Sequence, residues 1–334
     1  MPSETSAPPS RELIDQIRPA VITPMAVRAA LQLDVFTPLA NGPMTAEELA
    51  DALGVKPRRL KMLLFQLVVA DFLEFHDDRF ANPLMTAHYL VKGSPGYIGG
   101  IHELWTELFT AQLQTAESIR TDTPQAKIDF AHMSQEELGG FLRGLHGNTI
   151  AAGRLLANNP VFAEATNVVD VGGGSGGLPI ALCQEHSHLI ATLYDLPAVV
   201  PIAQEMISEA GLENRIMAET YDVLERPLIG KYDIAVARSL FQVLSAEQCQ
   251  KTALNIAAAL PSGATIFVIG QICDDTRLSP VNIVGFNLFF LNAYDDGEAY
   301  SESQYRNWLN EAGFVNITHE PFLHGTSLIS ARKA

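Results

Sequence analysis

Residues Val168 to Gly177 read Val-Val-Asp-Val-Gly-Gly-Gly-Ser-Gly-Gly, an apolar run interrupted by one acid and followed by five glycines within six positions. A helix-like stretch, Leu178 to Cys183, comes next. The pattern fits a strand, a loop of bare backbone and a helix N-terminus. Glycines there supply positive-φ conformations and permit a close approach that side chains block. The unpaired amides at such a helix start favour a ligand laid against them. The segment therefore points to an α/β fold that binds a nucleotide-like cofactor.

The rest of the chain alternates in the same sense. Candidate strands are Asn167–Val171, Ile190–Tyr194, Arg215–Ala218, Tyr232–Ala237 and Thr265–Ile269, with a last pair near Val315–His319 and Ser327–Ala331. Helical patterns separate the earlier ones, which predicts a doubly wound, mostly parallel sheet. With 334 residues, 47% apolar and 18% charged, the chain has material for a large core. Its net charge of −16 argues against a nucleic-acid or anionic-membrane surface. Cys183, Cys249 and Cys273 are too widely spaced for a disulfide framework or a metal site. A soluble cytoplasmic protein is expected, since no apolar run is long enough to span a membrane and the polar start lacks the build of a signal peptide.

The first third reads differently. Arg11 to about Leu39 is helical in pattern, with Leu13, Ile17, Val21, Met25, Ala29 and Leu33 near one face. Thr45-Ala-Glu-Glu48 resembles a capping box for a helix ending at Gly54, and Pro57 opens another. Two short strands, Phe72–Phe75 and Arg79–Asn82, meet at Asp77–Asp78. Helix, turn, helix and hairpin together make a winged helix. DNA binding would need a basic face, but Thr45–Lys92 carries six Lys/Arg against seven Asp/Glu. A scaffold or dimerisation role fits better. From Tyr97 to about Asn159 the pattern is again helical, which gives a winged-helix domain (11–95), a helical linker region (96–160) and a cofactor-binding domain (161–334).

Two acids sharpen the cofactor site. Asp195 ends the strand after the glycine loop, eighteen residues beyond Gly177, where a carboxylate accepts hydrogen bonds from ribose hydroxyls. Asp222 follows the third strand, within reach of an adenine amino group. Each also has a bland reading: Asp195 as a cap for a helix starting at Leu196–Pro197, Asp222 as a solvated loop residue.

These residues resemble a known family. Asp170-Val-Gly-Gly-Gly-Ser-Gly, Tyr194-Asp-Leu-Pro197 and the segment Tyr305 to Phe314 are similar to the S-adenosylmethionine-dependent small-molecule O-methyltransferases of plants and their bacterial phenazine, anthracycline and bacteriochlorophyllide relatives. The resemblance covers nearly the whole chain. It implies a Rossmann-like S-adenosylmethionine-binding domain preceded by an α-helical winged-helix dimerisation domain, and hence a homodimer. It implies further that Asp170, Gly172 and Gly174 line the cofactor. Asp195 and Leu196 would meet its ribose, Asp222 and Val223 would flank its adenine, and Arg238 would reach it from the fourth strand. A nicotinamide dehydrogenase shares the loop physics and is the lesser reading.

The resemblance fails where the chemistry is expected. In O-methylating members a histidine within a Leu-His-Asp-Trp-type motif deprotonates the substrate hydroxyl. Here the segment is Leu240-Phe-Gln-Val-Leu244, and the downstream Ser245-Ala-Glu-Gln-Cys249 fixes the alignment at Gln242. The carboxylate that steers that histidine is Ala299 here, with Glu298 one residue away. A glutamine amide orients a group by hydrogen bonding but is no base near neutral pH. His146, on a helix from Phe141 to Leu156, is another candidate for the base, and His102, beside Trp105 and Phe109, is a second. His186, His188, His319 and His324 read as surface residues. The resemblance also implies a substrate wall built from His102, Trp105, Phe109, Phe286 and Phe290, suited to a flat aromatic ligand.

The expected activity is S-adenosylmethionine-dependent methylation of a small aromatic or polycyclic intermediate at O, N or C, by proximity and orientation, with no metal, nucleic-acid or membrane partner. The alternatives are a non-methylating use of the cofactor in hydroxylation, decarboxylation or a pericyclic step, and a ligand-responsive DNA-binding regulator.

Overall fold

The computed structural model describes residues 9–94, 96–99 and 102–334, without the side chains of 102–105 and 324. The chain divides into two compact units, one ending at Thr106 and one beginning at Glu107.

The first unit starts with α1 (Glu12–Ala20) and α2 (Ile22–Gln32). The single long helix expected from Arg11 is thus two. Pro24 has no N–H for the Ala20 carbonyl and its ring crowds that position, so the first helix stops there. The apolar stripe also differs from a core face: Leu13 is 82% exposed and Ile17 67%, whereas Ala26, Val27, Ala30 and Leu31 of α2 are buried. Helix α3 (Ala46–Leu53) carries the expected capping box, with Thr45 Oγ1 accepting from the Glu48 N–H and Glu48 accepting from the Thr45 N–H. It ends at Gly54 with φ +65°. After α4 (Pro57–Val69) come β1 (Glu74–His76), β2 (Arg79–Ala81) and the short α5 (Leu84–Tyr89). Asp77 and Asp78, both at positive φ, make the hairpin turn. Leu49, Leu64, Leu67 and Phe80 form this unit's core.

Helix α6 (His102–Gln112) precedes α7 (Thr115–Thr121) and the long α8 (Gln135–Ala157). Helix α8 begins six residues before the expected Phe141, at a second capping box made by Ser134 and Glu137. Then β3 (Asn167–Val171), α9 (Gly177–Glu185), β4 (Ile190–Asp195), α10 (Val200–Glu209), β5 (Ile216–Thr220) and β6 (Ile234–Arg238) alternate. They are followed by α11 (Ala246–Ala257), β7 (Thr265–Gly270), α12 (Val281–Ala293), α13 (Glu302–Glu311), β8 (Phe314–Pro321) and β9 (Ser327–Lys333).

Among the described residues, one seven-stranded sheet runs in the order β5-β4-β3-β6-β7-β9-β8. The first five strands are parallel, and β9 pairs antiparallel with both β7 and β8, so β9 alone is reversed within this sheet. β6 and β7 are buried along almost their whole length, as parallel strands covered on both faces must be. The order reverses at β3, which pairs with β4 on one side and β6 on the other. A crevice at the C-terminal ends of those strands is the usual ligand position in such a sheet.

Candidate active site

The glycine loop leaves the end of β3 in the required form. Gly172, Gly174 and Gly176 have φ of +70°, +56° and +71°, and α9 begins at Gly177. The N–H of Gly172 donates to the Tyr194 carbonyl at 2.8 Å, which ties the loop to β4. At Gly173 an added Cβ would stand 2.5 Å from Leu193 and 2.8 Å from Asp170 Oδ2, so glycine is needed there for space.

Asp195, at the end of β4, accepts from the Gly174 N–H at 2.8 Å and from the Leu196 N–H at 2.7 Å. One carboxylate therefore fixes the loop and the chain beyond β4 together. It does not cap a helix at Leu196, because α10 starts only at Val200. Burial raises its pKa, and the two amides pull the other way.

Asp170 is 1% exposed, and its Oδ1 is buried with no hydrogen-bond partner among the described residues. Burial pushes its carboxyl up to about 7, the Asp195 charge adds to the rise, and the Arg238 guanidinium opposes it. Arg238, at the end of β6, donates to Thr149 Oγ1 on α8 at 3.3 Å. Burial lowers its pKa against the attraction of Asp170. The next residue, Ser239, sits at φ +58° and donates its N–H to Ile269 at 2.7 Å. That costly conformation turns the chain at the C-terminal end of β6.

Asp222 follows β5. Its Oδ1 accepts the Leu224 N–H at 2.8 Å, closing a local turn, and Val223 beside it is buried. Leu196 is half-buried against a cluster made by Leu138 and Leu142 of α8 with Val199, Ile202 and Met206.

His146 lies against the glycine loop, with Nδ1 3.0 Å from Ser175 Oγ. Burial lowers its pKa, which favours the neutral imidazole. Leu142, His146 and Thr149 follow helical spacing along α8, and all three meet the loop or Arg238. Thr149 and Ser175 were not singled out from sequence.

Gln242 sits in a short 3-10 turn beyond β6 and is 9% exposed. Its Oε1 accepts the Gln271 N–H at 2.8 Å. Ala299 is fully buried, and neighbouring Glu298 is paired with Arg277 at 2.7 Å on an exposed face. Glu298 is therefore committed to Arg277.

The aromatic wall centres on α12. Phe286 is half-buried, Phe290 is 1% exposed, and their rings lie 5.1 Å apart, with Phe289 and Tyr294 alongside. Leu108 and Ala111 of α6 join this cluster, while half-buried Phe109 is not part of it. The side chains of His102 and Trp105 lie outside the described residues. The two amides of α12 are structural: Asn292 bonds Ser118, Thr115 and the Leu288 carbonyl, and Asn287 accepts the Ala299 N–H.

Of the histidines read as surface residues, His188 is exposed and His186 and His319 are half-buried, and each also ties two segments. His186 bonds the Ala157 carbonyl, His188 the Phe162 carbonyl and His319 the Glu302 carboxylate. The His324 side chain lies outside the described residues. No group of three or more metal-ligating side chains occurs among the described residues, and no helix there is long and apolar enough to cross a membrane.

Comparison with known proteins gives matches along both units. Residues 125–315 match the model of the O-methyltransferase domain, and residues 17–92 match the O-methyltransferase dimerisation domain. The chain is 32% identical over 295 residues to 3-hydroxy-5-methyl-1-naphthoate 3-O-methyltransferase of Streptomyces sahachiroi, covering 86% of this chain and 85% of that one. It is 29% identical to the N,N-dimethyltransferase OxyT of Streptomyces rimosus, with 86% of each chain covered. The fold superposes on human N-acetylserotonin methyltransferase, solved in complex with SAM, with a TM-score of 0.83 at 20% identity, over 99% of this chain and all of the other.

Proposed function

The chain belongs to the O-methyltransferase family, and from that premise we propose that it methylates a planar aromatic natural-product intermediate whose acceptor atom needs no enzymic base. It is an S-adenosylmethionine-dependent methyltransferase. The cofactor supplies an electrophilic methyl on a sulfonium.

The residues present fit that cofactor. The positive-φ glycines leave the loop open to a flat, close ligand. The partnerless Oδ1 of Asp170 offers a buried acceptor to a cationic group. The single observation that carries the binding assignment is Asp195, whose carboxylate joins the loop to the end of β4 and keeps acceptor capacity for a diol. Asp222 and Val223 stand at the adenine end, Leu196 against the ribose, and Arg238 with Thr149 hold α8 over the crevice. His146 holds the loop through Ser175.

Support for an aromatic acceptor comes from the ring cluster of α12 and from a relative whose name specifies a hydroxynaphthoate. Hydroxynaphthoates with S-adenosylmethionine are expected to release S-adenosylhomocysteine. Tight cofactor binding with no release across hydroxynaphthoates, hydroxyquinones and aryl amines would move the chain to the non-methylating reading. Asp195→Ala is expected to weaken cofactor binding by about 1–3 kcal/mol, measured by calorimetry. Unchanged affinity would remove Asp195 from the ribose site.

The exposed apolar stripe of α1 and α2 is the face we assign to a second copy of the chain. Leu13→Asp with Ile17→Asp is expected to give a single-chain mass by light scattering. A mass unchanged from the wild-type dimer would place the interface elsewhere.

A further inference from the structure

By the resemblance drawn from the sequence, Gln242 stands where O-methylating members keep a histidine, and its geometry leaves it one free function. A backbone N–H only donates, so the bond from Gln271 assigns Oε1 to that side without ambiguity. The same oxygen lies 2.9 Å from where a Cβ on Gly270 would stand, so the amide fits against bare backbone. On the other side, a Cβ on Gly297 would come 2.7 Å from the Gln242 carbonyl and 3.1 Å from Tyr294. The turn is thus closed on two sides. What remains is Nε2, a donor without a partner among the described residues.

The surrounding groups are donors as well. The Cys249 thiol points to the Phe241 carbonyl, the Cys273 thiol to the Ala299 carbonyl and the Tyr300 hydroxyl to the Leu244 carbonyl. Burial raises the pKa of all three, and of Tyr294 and Tyr305. Glu298 is held by Arg277. With raised pKa values these five groups stay protonated at neutral pH and do not serve as bases.

We propose that Gln242 selects the ionisation state of the acceptor: the site takes an acidic aromatic hydroxyl as its phenolate and holds the oxygen with the Nε2–H donor. This rests on the aromatic-acceptor reading above. The phenolic proton leaves to solvent before binding. A lone pair of the phenolate oxygen then forms the new O–C bond, the S–C bond breaks, and its electron pair stays on sulfur. No enzymic base enters the balance, and orientation supplies the remaining acceleration.

The test uses 4-nitro-1-naphthol, whose phenolate is coloured, bound to the full-length protein saturated with S-adenosylhomocysteine so that no turnover occurs. A spectrophotometric pH titration reads the pKa of the bound probe. The wild type is expected to lower it by about one pH unit relative to free solution. Gln242→Leu is expected to return it to the free value or above, with roughly tenfold weaker binding. Gln242→Glu, which keeps an acceptor for Gln271 but loses the donor, is expected to shift it the same way. S-adenosylhomocysteine affinity, measured in parallel, is expected to stay unchanged and reports that each variant is folded. A bound pKa at or above the free value in the wild type, no difference in either variant, or no binding of the naphthol would overturn the proposal. Failure of the wild type to bind S-adenosylhomocysteine would overturn the methyltransferase reading instead.

Discussion

Asp170→Asn is expected to stabilise the cofactor-free protein at mildly alkaline pH and, in the same variant, to weaken S-adenosylmethionine binding. The carboxyl is 1% exposed, with Oδ1 unpartnered and its pKa pushed up to about 7 from 3.8. Between those values the folded state holds a proton that the unfolded chain has released. Stability therefore falls as pH rises through that window. At about 1.4 kcal/mol per pH unit, ionising this group costs the fold roughly 4 kcal/mol. Asparagine keeps the shape and never ionises. The difference in midpoint between variant and wild type is expected to grow across the window and to level above it, at on the order of 10 °C. Comparing the two proteins at each pH cancels the carboxylates with lowered values that do not act on Asp170, such as Glu302 and Asp233, while the repulsion from Asp195 is part of what Asp170→Asn removes.

Binding runs the opposite way. A cation beside Asp170 favours the ionised carboxylate, so wild-type affinity for S-adenosylmethionine is expected to rise through about pH 7. In Asp170→Asn this component of the slope is lost, along with roughly 1.5–3 kcal/mol of affinity for a charge-assisted contact. Calorimetry in buffers of different ionisation enthalpy measures the proton released. The same pH profile and equal alkaline stability in both proteins would refute the account. Asp170 is then a residue that weakens the empty fold in order to serve the ligand.

Much of this site was legible because its signals are local. The glycine loop, the Thr45/Glu48 capping box and the paired aspartates of the hairpin each state their conformation within a few residues. Asp195 was legible from its distance to the loop, because a strand–helix–strand unit has a nearly fixed length. What was not legible depends on contacts far apart in sequence. His146 meets Ser175 across 29 residues and Arg238 meets Thr149 across 89. Nothing near Glu298 announces that Arg277 holds it. The early start of α8 was hidden differently. Gly139, Gly140, Gly144 and Gly147 weaken helix propensity across its first half, and the Ser134 cap lay outside the apolar pattern. The N-terminal stripe was visible as a pattern, but periodicity alone does not say whether a face meets the chain's own core or solvent.

Gly153→Val is expected to damage both stability and cofactor binding, although the residue touches no ligand-facing group. A Cβ at this position would stand 2.7 Å from Ala181 Cβ, 2.8 Å from the Leu178 carbonyl oxygen and 3.1 Å from Leu178 Cα. Two of those atoms are backbone and do not swing aside, so α8 and α9 must move apart. Overpacking of this kind costs about 3 kcal/mol, or roughly 6–12 °C in midpoint for a unit of this size. Relief of helical glycine returns less than about 1 kcal/mol, so the clash decides the sign. The displacement also reaches the site. Helix α9 carries the glycine loop at its start, and α8 brings Leu142, His146 and Thr149 against that loop and Arg238. Cofactor affinity is therefore expected to fall with stability, by about tenfold, roughly the loss of one hydrogen bond to the loop. Gly144→Ala on the same helix provides the contrast. Nothing lies within 4 Å of its added Cβ, so propensity acts alone and stability is expected to rise by about 0.5–1 kcal/mol. Opposite signs at 153 and 144, read by thermal unfolding, would tie the effect to the α8–α9 contact. A fall of similar size at both positions would show instead that α8 as a whole tolerates no change.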